Sequence, residues 1–226
     1  MGKVDFDNYA EDYENVLSDE LKKFDSESGY FAEYKIKIVK DTTSKIPLRI
    51  LDFGCGIGRN TEFLKEYFSK AEITGCDISK KSIQFAKRKN PKCSFFILDR
   101  ENIEYNNQNF DIIFTSCVFH HIEPELRKET IDNIYNMLKP NGEFYIFEHN
   151  PFNPITRKIV KDCVWDTDAI LLKPVETKKL LLNAGFKNLE KKYTLFFPKF
   201  LSFMRPVERG MGFLPLGGQY YFKGKK

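Results

Sequence analysis

The chain has 226 residues, 42% of them hydrophobic and 30% charged, which suits one globular domain with a full core. Its 36 basic and 32 acidic residues leave a net charge of +4 with no concentrated basic stripe, which argues against nucleic-acid binding. No apolar run approaches the ~20 residues of a membrane span, and the polar, acidic opening has no secretory pattern, so a cytoplasmic protein without integral membrane association is expected.

Residues Asp5 to Lys40 read as two helical segments rich in Tyr and Phe, broken near Ser26 to Gly29. Strand and helix then alternate. Arg49 to Phe53 is a strand, and Asn60 to Phe68 a helix. Glu72 to Cys76 is a strand ending at Asp77, with a helix from about Lys80 to Lys89. Ser94 to Leu98 is a strand ending at Asp99, and Phe110 to Thr115 another. Glu125 to Leu138 is a helix stopped by Pro140 and Asn141-Gly142. Glu143 to Phe147 is a strand, and Pro174 to Ala184 a helix with Pro at its start and Gly185 at its end. Lys187 to Phe196 and Gln219 to Lys223 are the late strands. This order predicts a parallel α/β sheet with helices on both faces and ligands beyond the carboxyl ends of the strands.

The turn LDFGCGIGR, residues 51–59, carries the strongest ligand signal. Gly54, Gly56 and Gly58 strip it of side chains, so a ligand can lie against the backbone, and amides at the helix start favour an anionic group. Its G-x-G-x-G spacing, preceded by Asp52, is not the dinucleotide pattern G-x-G-x-x-G, whose third glycine is Arg59 here. Asp77 and Asp99 close the next two strands. Three acids at successive strand ends suit a nucleoside with a positive centre and an amino group better than a pyrophosphate. Each acid alone reads equally well as a helix cap.

The set LDFGCGIGR, GCDIS, FFILD and FDIIFTSCVFHHI resembles the class I S-adenosylmethionine-dependent methyltransferases, notably the small-molecule branch of the ubiquinone and menaquinone methyltransferases. The resemblance implies a Rossmann-like, doubly wound, seven-stranded sheet whose last strand runs antiparallel. It implies a single domain, with residues 1–45 as a helical arm or lid and 46–226 as the core. An insertion falls at about 150–172 and a substrate-cover excursion at about 198–218. S-adenosyl-L-methionine is the implied cofactor, with S-adenosyl-L-homocysteine as product. Gly54 and Gly56, with Asp52, Cys55 and Gly58 in the same turn, would flank its methionine part. Asp77 would hold the ribose, Ile78 pack on the purine, and Asp99 with the backbone of Arg100 hold the adenine. Ser116 and Cys117 would present backbone to the methionine amine.

A sulfonium methyl donor is already activated, so catalysis reduces to alignment and, where needed, removal of the acceptor's proton. All three histidines, His120, His121 and His149, fall after strands on the ligand side, and each is a candidate base or a packing and capping residue. No acid spacing supports a metal site among them, and none is expected. The segment EHNPFNPITR, residues 148–157, has two Asn-Pro steps that favour rigid turns, either presenting amides to a ligand or forming a connector. Five cysteines without a CxxC pair read as free thiols in a reducing compartment.

The arm carries Phe6, Tyr9, Tyr13, Tyr30, Phe31 and Tyr34. The later excursion carries Phe196, Phe197, Phe200, Phe203, Met204 and residues 213–218. These aromatics either complete the core or line a pocket for a small hydrophobic or aromatic substrate, with Arg205 and Arg209 recognising an acidic group or lying solvated. The leading reading is a methyltransferase moving a methyl group to O, N or C of such a molecule. A cofactor-binding scaffold without turnover is the alternative. A nicotinamide reductase is disfavoured by Arg59.

Overall fold

The computed structural model describes residues 5–7, 19–98, 109–197 and 199–226. Seven strands form one sheet in the order β3-β2-β1-β4-β5-β7-β6. They are β1 (Arg49–Phe53), β2 (Glu72–Asp77), β3 (Ser94–Ile97), β4 (Phe110–Ser116), β5 (Leu138–His149), β6 (Lys187–Thr194) and β7 (Gln219–Lys225). Strand β1 pairs in parallel with β2 and β4, and β2 with β3, whereas β7 runs antiparallel to both β5 and β6. The Rossmann-like sheet and its antiparallel last strand are as the sequence implies.

The chain packs as two compact units, residues 5–115 and residues 116–226. In the first, α1 (Asp19–Thr42), α2 (Arg59–Tyr67) and α3 (Lys80–Lys89) accompany β1 to β4. Helix α1 is continuous where the sequence suggests a break near Ser26 to Gly29. One interior glycine costs about 1 kcal/mol, too little to stop a helix whose Ala32, Ile36 and Val39 are buried. Strand β1 is covered on both faces, Ile50, Leu51 and Asp52 all being buried, which is why it reads as a continuous apolar run rather than an alternating one.

The second unit holds β5 to β7 with α4 (Pro124–Met137), α5 (Pro154–Asp162), α6 (Pro174–Asn183) and the short α7 (Glu208–Met211). Phe147 stacks on Tyr221 at 4.9 Å and Phe144 on Phe186 at 5.5 Å. The closing lysines are not a solvated tail. Lys223 is buried, with its Nζ 3.2 Å from the buried carboxylate of Glu143. Lys226 Nζ donates to the Tyr135 and Leu138 carbonyls at 2.7 and 2.8 Å, capping the end of α4, while its amide donates to Gly142.

Strand β6 stops at Thr194, two residues before the expected end, because Leu195 turns to a left-handed φ of 59°. The segment after His149 also departs from expectation. Its second Asn-Pro step starts a helix instead of a rigid turn: Asn153 accepts from the Thr156 amide at 3.0 Å, and Pro154 takes the first helical position, where its missing N–H is harmless. Asn150 is fully buried and donates to the Pro215 and Gly217 carbonyls, so the connector reading holds for its amide.

Candidate functional site

In the unit of residues 5–115, β1 ends in the glycine turn, and Gly54, Gly56 and Gly58 all take positive φ, between 51° and 80°. Four of the turn's amides are committed inside the protein. Those of Gly54 and Cys55 donate to the Cys76 carbonyl, that of Gly58 to the Cys55 carbonyl, and that of Gly56 to Asp77 Oδ2 at 2.8 Å. Three of these four amides are thus taken up by β2.

Carboxylates stand there instead. Asp77 also accepts from the Ser79 amide, at 2.9 Å; two oxygens with four lone-pair sites leave it capacity for a diol. Burial raises the Asp77 carboxyl above its usual range against these amide bonds, and the charge of Asp7 adds to the rise. Asp52, buried beneath the turn, accepts from the Thr61 hydroxyl at 2.6 Å through Oδ2, while its Oδ1 has no hydrogen-bond partner. Burial pushes Asp52 up to about 7 despite the Thr61 bond, with the charge of Asp77 adding to the effect.

The glycines divide their work. A Cβ at Gly56 would meet nothing within 4 Å, so space opens there; at Gly58 it would lie 2.5 Å from Asn90 Nδ2 and 3.0 Å from the Ala86 Cβ. Gly58 is thus a packing residue that lets α3 close on the turn. Ile78 is an apolar side chain 59% exposed beside Asp77, the arrangement expected for stacking on a flat ring. The thiol of Cys55 is buried, and burial pushes its pKa up, so it serves packing rather than nucleophilic chemistry. Residues 5–7 of the arm dock here, Asp7 accepting from the Ser79 hydroxyl at 2.6 Å and from the Lys81 amide at 3.1 Å. Asp99, Arg100, Tyr9 and Tyr13 lie outside the described residues.

The unit of residues 116–226 gathers the histidines. Cys117, after β4, has a left-handed φ of 58°, its amide donating to the Phe147 carbonyl and its sulfur accepting from Gln219 Nε2 at 3.1 Å. Its amide is therefore unavailable to a ligand. Glu148 is fully buried: Oε1 accepts from the Val118 and Phe119 amides, and Oε2 lies 2.7 Å from His120 Nδ1. His120 Nε2 and His121 Nε2 lie 3.5 and 3.4 Å from the same oxygen, Asp166 Oδ1, and His121 Nδ1 is 3.3 Å from Asp168 Oδ1. The His149 ring is centred 5.0 Å from that of His120.

Burial disfavours charge on His120, but the field of Glu148 and the contacts with Asp166 and Glu148 outweigh it and raise its pKa to about 10. The same contacts hold Asp166 far below the usual range against its burial. The structure thus brings His120, His121 and His149 together, as their positions after β4 and β5 suggest. Sequence spacing missed Asp166 and Asp168. They arrive on the turn after α5, which is fastened where the Ile170 amide donates to the His120 carbonyl, at 2.8 Å, and Arg127 donates to the Ile170 carbonyl.

The cover excursion is a 3-10 segment, Lys199–Val207, running into α7. Phe203 and Phe213 are 76% and 77% exposed, so these two aromatics do not complete the core. Glu208, buried, accepts from the Phe196 and Phe197 amides and holds the excursion's base, and Arg205 Nε donates to the Phe197 carbonyl at 3.4 Å. None of the five cysteines forms a disulfide. No described helix is long and apolar enough to cross a membrane.

Residues 50–142, which include the glycine turn, Asp77 and both His120 and His121, match the family described as a methyltransferase domain. The similarity to that family lies within this segment, which is under half of the chain. Juvenile hormone acid O-methyltransferase of Bombyx mori is 29% identical over 174 residues, covering 68% of this chain and 62% of that protein. Demethylmenaquinone methyltransferase of Thermotoga maritima is 26% identical over 148 residues, covering 66% and 61%. The matches thus span less than two thirds of either relative. A solved SAM-dependent methyltransferase of Archaeoglobus fulgidus shares the fold, with a TM-score of 0.68 at 20% identity over 88% of this chain and 94% of that one.

Proposed function

We propose that this chain is an enzyme that transfers a methyl group from S-adenosyl-L-methionine to O, N or C of a small hydrophobic or aromatic molecule. The observation that carries the reading is the carboxylate character of the glycine turn. The amides of Gly54, Cys55, Gly56 and Gly58 serve the protein, while Asp77 and Asp52, whose Oδ1 has no hydrogen-bond partner, place carboxyl groups there. A phosphate-bearing dinucleotide is disfavoured by such a turn and a cationic sulfonium nucleoside is favoured.

The residues fit that cofactor. Asp77 would accept from the ribose hydroxyls, Ile78 would pack on the adenine, and the open space at Gly56 would admit the methionine portion, with Asp52 balancing its positive charge. Asp99 and Arg100, on the adenine side, and Gly54, Ser116 and Cys117, on the methionine side, complete the proposed contacts. When bound, the cofactor supplies an electrophilic methyl carbon. The chain's own part is to hold donor and acceptor in line, exclude water and, for a protonated acceptor, take its proton. Of the three candidate histidines, His149, His121 and His120, His149 is the proposed proton acceptor, since it stands outside the carboxylate-bound pair.

The small-molecule assignment is supported by relatives named for juvenile hormone acid and demethylmenaquinone. The exposed Phe203 and Phe213 of the cover excursion are the apolar surfaces proposed to meet a substrate. Calorimetry with S-adenosylhomocysteine tests the cofactor assignment. Asp77→Ala should weaken binding by about 1.5–3 kcal/mol, the worth of hydrogen bonds to a charged group, and unchanged affinity rejects its ribose role. His149→Ala should keep that affinity and slow turnover of labelled donor; equal rates at saturating acceptor remove it as the base. A chain that binds the cofactor yet methylates nothing in extract is the scaffold alternative.

A further inference from the structure

The cluster of residues 120, 121, 148, 166 and 168 has a geometry that proton transfer alone does not explain. His120 uses Nδ1 on Glu148, at 2.7 Å, and His121 turns Nδ1 towards Asp168, at 3.3 Å. Both imidazoles then direct Nε2 at one oxygen, Asp166 Oδ1. Two ring nitrogens and a carboxylate oxygen thus converge on one point, the donor set of a metal-binding group.

The separations distinguish a proton from a metal ion. A charge-assisted N–H···O bond closes to about 2.7–2.9 Å, yet the two Nε2–Oδ1 distances are 3.5 and 3.4 Å. Ligands bonded at about 2.0–2.1 Å to a tetrahedral ion stand roughly 3.4 Å apart, and those on adjacent corners of an octahedral ion about 3.0 Å. These two separations match the tetrahedral spacing, and all three donor atoms lie within 4.8 Å of one another. Carboxylates behind both histidines add the outer contacts that orient metal-bound imidazoles.

We propose that His120, His121 and Asp166 are the protein ligands of a divalent transition-metal site of the type that takes Zn2+, with Glu148 and Asp168 positioning the two imidazoles. Three carboxylates (Glu148, Asp166, Asp168) around the two rings suit a doubly charged ion. Three protein ligands leave the fourth position of a tetrahedral ion for water or another small ligand. The proposal goes beyond the methyl-transfer reading, since no part of it requires the methyl donor.

The experiment uses the full chain, stripped with chelator and titrated with Zn2+ by calorimetry and with Co2+ by visible absorption. One ion per chain is expected, with Co2+ bands of four-coordinate intensity. Asp168→Asn should weaken Zn2+ binding by about 10–100-fold, as for other outer partners of metal-bound histidine. His121→Ala and Asp166→Asn should weaken it further, far-ultraviolet circular dichroism confirming that each variant folds. Asp77→Ala should bind Zn2+ like the parent, so loss of S-adenosylhomocysteine binding and loss of metal binding remain separate results. Absence of stoichiometric Zn2+ and Co2+ binding overturns the site, as does unchanged affinity in folded His121→Ala and Asp166→Asn. Imidazole NMR signals of two histidines that stay cationic at neutral pH in the presence of Zn2+ would show a cluster filled by protons and would equally overturn it.

Discussion

Alanine placed at Gly58 and, separately, at Gly56 should separate packing from ligand space within one turn. At Gly58, φ is +80° and the new Cβ would sit 2.5 Å from Asn90 Nδ2, which itself donates to the Gly58 carbonyl at 3.0 Å. The left-handed backbone costs a non-glycine residue about 1–2 kcal/mol, and overpacking adds about 1–3 kcal/mol. Together these give roughly 2–5 kcal/mol. For a chain of this size each kcal/mol lowers the melting temperature by about 2–4 °C, so a fall of roughly 10 °C is expected. At Gly56, φ is +51° with nothing within 4 Å, leaving only the backbone cost of about 1–2 kcal/mol and a fall of a few degrees. That methyl would nevertheless occupy the space assigned to the cofactor, and S-adenosylhomocysteine affinity should drop at least about tenfold, or 1.4 kcal/mol. Thermal unfolding by circular dichroism and calorimetric titration read the two effects. Gly58→Ala melting within a degree or two of the parent, or Gly56→Ala binding the nucleoside at full strength, would refute the division.

Stability should also depend on Asp52 in a definite direction. Its folded pKa of about 7 lies above the usual aspartate value near 3.9, so its contribution is complete below pH ~4 and is lost as pH rises through ~7. Urea midpoints between pH 5 and pH 8 should therefore fall less in Asp52→Asn than in the parent. Arg127 is buried, with Nε on the Ile122 carbonyl, Nη1 on Glu176 and Nη2 on the Ile170 carbonyl. Arg127→Ala leaves two carbonyls unpaired and should cost about 3 kcal/mol in urea unfolding. Because Ile170 follows Asp166 and Asp168 closely, that variant should also weaken Zn2+ binding, and unchanged affinity would dissociate the arginine from the cluster.

The glycine turn, Asp77 and the order of strands were legible because each depends on local pattern. Apolar runs mark buried strands, glycines mark the bend, and an acid closes the strand. What the turn does with its amides was not legible, since the acceptors, the Cys76 carbonyl and Asp77, come from β2 and only strand pairing brings them there. The histidines could be placed by their strands, but Asp168 joins His121 from 47 residues further along the chain, without local periodicity to announce it. Gly29 misled for a related reason. Its propensity cost was visible in the sequence, whereas the apolar face that keeps α1 intact is decided by packing.

The arrangement around Glu143 and the end of α4 changes how residues 223–226 should be handled. Lys226→Ala would remove the cap on a helix, and Lys223→Ala would take from a buried anion its nearest counter-ion. Any redesign of this edge should therefore leave both lysines in their seats.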